Sequence, residues 1–345
     1  MAIVALVVIL IVLVFVHEMG HFVTAKLTGV KVQEFGFGYP PRMVAVKWRN
    51  TEYSINWLPL GGFVRLLGEE DPSESGSLAS ESIPVRFLVL VSGSMMNLVL
   101  PVVLFSIAFM IPQQVPVGKV IIGEVAAGSP AEQVGIKEGD VILELNSRQM
   151  RNTNELIYNI HLNQGKEVAL LLERNGQQQT VRATPRWAPP AQEGPLGIKV
   201  PPIQNVTMVR ESHPIWEAVP LGMRNLVETI QLFRNEVIGW FARRTAPQVT
   251  GPIGIAQATG EVARAGVSPL LGFAAFISIN LGIVNLLPIP ALDGGRLLFL
   301  FVEAIRRGKR ISPQKEKLVH LIGFIILITM MVVVSYFDVV RLAGS

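Results

Sequence analysis

Cysteine is absent from the 345 residues. Disulfides, thiolate metal ligands and a cysteine nucleophile are therefore excluded, and any zinc site must be built from histidine and carboxylate. Charge is also scarce. Asp, Glu, Lys and Arg make up 16% of the chain against 50% hydrophobic residues, where soluble domains carry about 25% charged residues. That balance excludes a purely soluble protein. The first 16 residues hold no Lys or Arg, so the cationic n-region of a cleaved signal peptide is missing and the segment reads as a retained span. The net charge of +4 comes with no nucleic-acid motif.

Long apolar runs are what the chain does have. Ile3–Thr24, Phe87–Ile111, Leu270–Leu287 and Leu318–Phe337 each approach the roughly 20 residues that cross a bilayer, giving a polytopic α-helical membrane protein with about four transmembrane helices. The third run continues past Pro288 and Pro290, which break it and leave irregular backbone at membrane depth. Such backbone is tolerated where it lines a protein cavity. The loop before the fourth run carries Arg306, Arg307, Lys309, Arg310, Lys315 and Lys317, and the positive-inside rule makes it cytoplasmic. Four spans then put both termini and the long 112–268 region outside and the Lys26–Arg86 loop inside.

Between the spans, M-V-A-V-K-W and E-Y-S-I-N-W-L alternate around R-N-T as a hairpin, and an acidic, Ser-rich stretch runs from Glu69 to Glu81. The outside region opens as a small α+β domain. Its expected strands are Val120–Val125, Val141–Leu145, Glu167–Arg174 and Gln179–Ala183, the last two joined by an N-G turn, with a helix at Asn154–Leu162. Ile215–Arg243 is amphipathic; its Trp residues suit a membrane surface, and packing on the soluble domain is the alternative. The chain is thereby parsed into 1–112 (first membrane core, with a β-loop at 34–66), 116–202 (small domain), 203–266 (amphipathic helical region) and 267–345 (second membrane core).

Chemistry concentrates in H-E-M-G-H, His17 to His21, inside the first span. Two histidines at i and i+4 share a helix face and can hold one metal ion, while the adjacent Glu18 is placed to act as general base. Ionisable groups in lipid mark a functional site by default. The 14 residues before His17 rise ~21 Å, which places the pair nearer the cytoplasmic side of a core about 30 Å thick. His161, His213 and His320 have no partner pattern and read as ordinary surface or core residues.

In order along nearly its whole length, the chain resembles the site-2 protease family of intramembrane zinc metalloproteases, in its bacterial, PDZ-containing, regulator-of-sigma-E-protease-like branch. H-E-M-G-H fits the family's HExxH, G-F-G-Y-P-P its membrane re-entrant β-loop, S-P-A-E-Q-V-G-I-K-E-G-D-V-I a PDZ domain, and G-P-I-G-I-A-Q-A with N-L-L-P-I-P-A-L-D-G-G two further motifs. The resemblance implies one Zn2+ per chain on His17, His21 and Asp293, with Glu18 catalytic. It implies substrate contacts from Asn97, Asn280, Asn285, Gly36 and Gly38; for the asparagines, helix–helix hydrogen bonding is the plainer alternative. Pro195–Ile198 is similar to the carboxylate loop of a permuted PDZ domain, which makes Leu196, Gly197 and Ile198 candidates for holding a peptide end; the alternative role, a size filter that excludes substrates with bulky ectodomains, is slightly favoured. The implied activity is metalloendopeptidase cleavage of single-span membrane proteins already cut by another protease, of anti-sigma-factor or remnant-signal-peptide type. A silent PDZ scaffold in the membrane and a transporter with an intramembrane carboxylate are the competing classes. A scaffold predicts a broken metal site and a transporter predicts internal repeats; neither feature is found.

Overall fold

The computed structural model describes residues 2–69, 71–201, 206–244 and 250–343. The expected domain boundary at 202, the start of the 203–266 region and one residue of the acidic stretch lie outside them. The chain divides into two compact units. One is Met1–Ala108 with Ala218–Leu226 and Val249–Ser345; the other is Phe109–Glu217 with Val227–Gln248.

In the first unit, α1 (Ala2–Thr28) is apolar for most of its 27 residues and ends at Gly29, whose φ of +85° provides the left-handed C-terminal stop that glycine adopts freely. Strands β1 (Val32–Trp48) and β2 (Thr51–Leu66) follow. Arg49 and Asn50 both have positive φ, so the R-N-T hairpin forms with a turn whose twist suits the flanking strands. The sheet is larger than that hairpin. Phe35 pairs with both Tyr53 and Val64, and Gly36 with both Ser54 and Phe63. Both long strands fold back, so the sheet runs in the order 42–48, 51–56, 34–37, 62–66. Residues 34–37 are interior, and 62–66 forms an edge. Helix α2 (Ile83–Met110) closes this part. Val30, Val32, Leu66, Leu78, Val89 and Leu90 bury one core between α1, the sheet and α2.

The second unit begins with β3 (Gln113–Val117), β4 (Val120–Ile121) and β5 (Glu124–Val125), so the strand expected over Val120–Val125 is interrupted. Next come α3 (Pro130–Gln133), β6 (Val141–Leu145), β7 (Arg148–Gln149), α4 (Thr153–Leu162), β8 (Val168–Arg174), β9 (Gln177–Ala183), β10 (Ile198–Lys199) and β11 (Thr207–Glu211). Strands β4, β6, β8 and β9 lie side by side with β7 on β6; β10 pairs with β5 and β11 with β3. Local chemistry explains the frame. Ser129 caps α3 by accepting the Glu132 N–H while the Glu132 carboxylate accepts from Gly128, and Asn175–Gly176 turns β8 into β9 with both φ positive. Helix α5 (Ile215–Arg243) follows. Within the second unit its Gln231 and Asn235 amides donate to the Leu162 carbonyl that ends α4, and Glu228 accepts from Tyr158. Of the two readings open for this helix, packing on the small domain is the one realised over its second half.

The first unit resumes with α6 (Pro252–Ala265), α7 (Val267–Leu286), α8 (Asp293–Ile305) and α9 (Pro313–Ala343). As the prolines require, the third apolar run breaks between α7 and α8. Among the described residues, α1, α2, α7 and α9 are long and apolar enough to cross a membrane. The Asp338 carboxylate of α9 accepts from the Gly254 N–H at the start of α6. A side chain on Gly251 would come within 2.6 Å of that carboxylate, which accounts for the first glycine of G-P-I-G-I.

Asp140, 1% exposed, is held by a bidentate Arg174 at 2.7 Å, and this guanidinium keeps its carboxyl below the usual range. A depressed folded-state pKa stabilises the fold above the unfolded value of about 3.9 and ceases to do so as pH falls below it. Asp140→Asn is expected to destabilise the small domain by about 2 kcal/mol at neutral pH, read as faster amide exchange in β6 and β8, with the difference from wild type shrinking in acid.

Candidate metal centre

One helical turn separates His17 from His21 on α1, and their ring centroids lie 4.9 Å apart. Asp293, the first residue of α8, comes in from the other side of the break. The three donor atoms converge: His17 Nε2 to Asp293 Oδ2 is 3.1 Å, His21 Nε2 to Asp293 Oδ2 is 3.3 Å, and the two Nε2 atoms are 3.2 Å apart. Oδ2 is buried and forms no hydrogen bond. Four ligands about 2.0–2.1 Å from a tetrahedral ion are spaced by roughly 3.3–3.4 Å, so these separations suit zinc closely.

The hydrogen bonds behind the rings aim their lone pairs inward. His21 Nδ1 donates to the Val89 carbonyl at 2.8 Å, which leaves Nε2 unprotonated in the neutral ring. His17 Nδ1 lies 3.3 Å from the Asn97 amide nitrogen, while Asn97 Oδ1 is buried without a partner. Turning that amide over gives Oδ1 the Nδ1–H and gives His17 the same tautomer. Two neutral imidazoles and one carboxylate, all acceptors, then face one point. A cation satisfies such a set, and metal-bound histidines usually carry this kind of outer partner.

Helix α2 comes unusually close. A Cβ on Gly93 would lie 2.3 Å from His21 Nε2 and 2.8 Å from His17 Nε2, and one on Gly20 would lie 2.5 Å from the Ser92 carbonyl. The glycine of H-E-M-G-H thus lets α1 and α2 touch, and Gly93 leaves room where the donors meet. Glu18 projects beside the histidines into a cavity of about 530 Å3, whose lining includes Val64, Glu69, Asp293, Arg296 and His320. Its carboxylate accepts the Val64 N–H at 3.0 Å. Val64 belongs to the edge strand of the sheet, so the sheet orients the candidate base.

The other expected site residues lie in varied places. Asn97 is fully buried behind His17, where α2 packs directly on the ligand helix. The strand of Gly36 is interior, with partners on both sides, and a Cβ there would strike the Phe63 ring. Gly38, at φ +79°, sits against the Leu58 carbonyl and accepts from the Asn56 amide. Asn280 donates within its own helix to Phe276. Asn285 is in the last turn of α7, ahead of the break. Leu196 and Ile198 border a separate apolar groove of about 240 Å3 beside α4, lined also by Ile157, Ile160 and His161; Gly197 lies between them at φ +74° and is not part of its lining. Leu196 is at the same time a fully buried core residue.

Four participants escaped sequence reading. Val64 and Val89 contribute backbone groups, which no residue type reveals. Gly93 opens G-S-M-M-N, which resembles the family's Gly-Pro-x-x-Asn pattern without its proline, but its residue type does not say what it faces. His320 reads from sequence as an ordinary surface or core residue, although an ionisable residue inside a span is itself a signal.

The model of peptidase family M50 matches residues 5–330. A Clostridium acetobutylicum protein, provisionally named a zinc metalloprotease, is 36% identical and covers 95% of this chain and 94% of its own length. The zinc metalloprotease RasP of Geobacillus kaustophilus is 31% identical over 95% of each chain. The regulator of sigma-W protease RasP of Bacillus subtilis is 30% identical over 99% of this chain and 98% of its own. A solved PDZ domain of an SdrC-like protein from Listeria monocytogenes covers 24% of this chain and 86% of its own at 20% identity, with a TM-score of 0.21, too weak a likeness to build on.

Gly93→Ala should fill the space in which the donor atoms meet. Purified protein is expected to lose most of its bound divalent metal, measured by elemental analysis, while α1 and α2 stay helical by circular dichroism.

Proposed function

The chain belongs to peptidase family M50, and on that footing we propose that His17, His21 and Asp293 hold one zinc ion beside which Glu18 directs hydrolysis of peptide bonds inside the membrane. The observation that carries this is the convergence of three buried acceptor atoms within 3.1–3.3 Å of one another. The protein is a zinc metallopeptidase of regulated intramembrane proteolysis. Zinc, when bound, supplies a Lewis acid that polarises the scissile carbonyl and makes water more acidic. The residues do the rest. Glu18, held by Val64 N–H, takes a proton from the attacking water as its oxygen bonds to the carbonyl carbon. It returns that proton to the departing amine as the C–N bond breaks. Asn97 and the Val89 carbonyl keep the two imidazoles in the tautomer that offers Nε2.

A transmembrane substrate hides its peptide bonds in helical hydrogen bonds, so it must be held extended at the site. The edge strand 62–66 supports strand addition there: it has a partner strand on one side only, whereas residues 34–37 are paired on both sides. The substrates are membrane proteins of the anti-sigma-factor or remnant-signal-peptide class, cut first by another protease. Asn280 and Asn285 remain candidates for contact with the unwound segment beside the α7–α8 break. Residues 116–202 form a PDZ-type domain, and the apolar slot between Ile160 and Ile198 suits a hydrophobic chain end. The cation-rich 306–317 loop supports placing it on the cytoplasmic side, with both termini and the 116–202 domain extracytoplasmic.

Two outcomes test this reading. Glu18→Gln is expected to keep its zinc and lose cleavage of a single-span reporter by about 10²–10⁴-fold; a mutant that cleaves like wild type sinks the assignment of the base. Because the chain has no cysteine, single-cysteine labelling reads topology directly. Asn175→Cys should react with an impermeant maleimide on intact cells, and Ser73→Cys only after the membrane is opened; the reverse pattern rejects the orientation.

A further inference from the structure

The third metal ligand stands on the least regular backbone of the membrane unit. Residues 287–292 leave the α7 helix, and Ala291, two positions before Asp293, has φ +78°, a left-handed conformation that L-residues other than glycine, asparagine and aspartate rarely adopt. The break is held from one side by its own helix. A Cβ on Gly294 would lie 1.9 Å from the Leu287 carbonyl, and one on Gly295 would lie 2.6 Å from the Ile289 carbonyl. From the other side it is held by α9. His320 Nδ1 accepts the Ala291 N–H at 2.9 Å. One turn further, a Cβ on Gly323 would fall 2.3 Å from Pro290 Cβ and 2.7 Å from its carbonyl oxygen. One face of the last span thus supplies an acceptor and an indentation, both aimed at the two residues that set the direction of Asp293. His320 also lines the cavity that contains Glu18 and Asp293. Because Nδ1 accepts, the neutral ring carries its proton on Nε2, which leaves the imidazole no freedom to turn over without losing the Ala291 bond.

We propose that His320, with the hollow at Gly323, is a positioning residue of the metal centre. It never touches the metal, and it fixes the strained Ala291 turn so that Asp293 Oδ2 meets both histidines. The inference rests on the zinc-site reading and deepens it. Its physical content is that ligand orientation is set from outside the ligand set, and loss of such outer support commonly lowers metal affinity by about 10–100-fold.

The test follows zinc loss to a chelator from the purified full chain in detergent, together with the visible spectrum of the cobalt-substituted protein as a report of ligand geometry. His320→Ala should release zinc at least about tenfold faster than wild type and alter the cobalt bands. His320→Asn places an amide oxygen where Nδ1 stood and should hold zinc to within about threefold of wild type. His320→Gln, whose amide reaches the Nε2 position instead, should behave like His320→Ala. Val332→Ala, on an exposed stretch of the same helix, should change nothing. Wild-type zinc retention by His320→Ala overturns the proposal, as does equal behaviour of the Asn and Gln variants; the latter comparison decides even if the Ala variant does not accumulate. A wild-type chain that binds no zinc would instead refute the metal-centre reading itself.

Discussion

Three acceptor atoms lie buried within 3.1–3.3 Å of one another, and with both imidazoles neutral and protonated on Nδ1 they repel unless a cation lies among them. Much of the membrane unit can be understood as the framework that imposes this arrangement. Helix α1 supplies two donors at the spacing its pitch dictates. The proline break before α8 supplies the third. Helix α2 seals the back, through the Val89 carbonyl and Asn97 behind the rings and through Gly93, which leaves the donors room. In an apolar surrounding, an unpaired carboxylate or imidazole costs several kcal/mol, so a binding energy of metal-site size is what makes the assembly favourable.

The same framework links chemistry to substrate presentation. Glu18 is oriented by a backbone N–H of the edge strand, and that strand borders the cavity over the metal donors. A substrate segment that pairs along residues 62–66 therefore arrives beside the base and the ligands together. The central position of 34–37 and the edge position of 62–66 follow from the double pairing of β1, so the fold-back of the sheet determines which strand is open to a guest.

What could be read from sequence was what residue type and period encode. H-E-M-G-H announces itself because histidine and glutamate are conspicuous in an apolar helix and the i, i+4 rule is strict. The four spans, the R-N-T hairpin, the N-G turn and the break at Pro288–Pro290 follow from equally local chemistry. Asp293 needed the family resemblance, since nothing local joins it to a helix more than 270 residues away. Placement lay beyond that reach. The resemblance offers Asn97 and Gly36 as substrate contacts, yet a motif does not say which neighbour packs against them: a ligand histidine for Asn97, and strands on both sides for Gly36. The glycines of L-D-G-G and Gly93 show the same limit, because close backbone approach is a property of two segments and is invisible in either alone.

Zinc K-edge X-ray absorption of the purified wild-type chain tests the central claim most directly. The account predicts a four-coordinate first shell of nitrogen and oxygen at about 2.0–2.1 Å, with the outer scattering of two imidazoles and no sulfur. An absence of stoichiometric zinc, a shell without imidazole scattering, or an octahedral all-oxygen shell would contradict it.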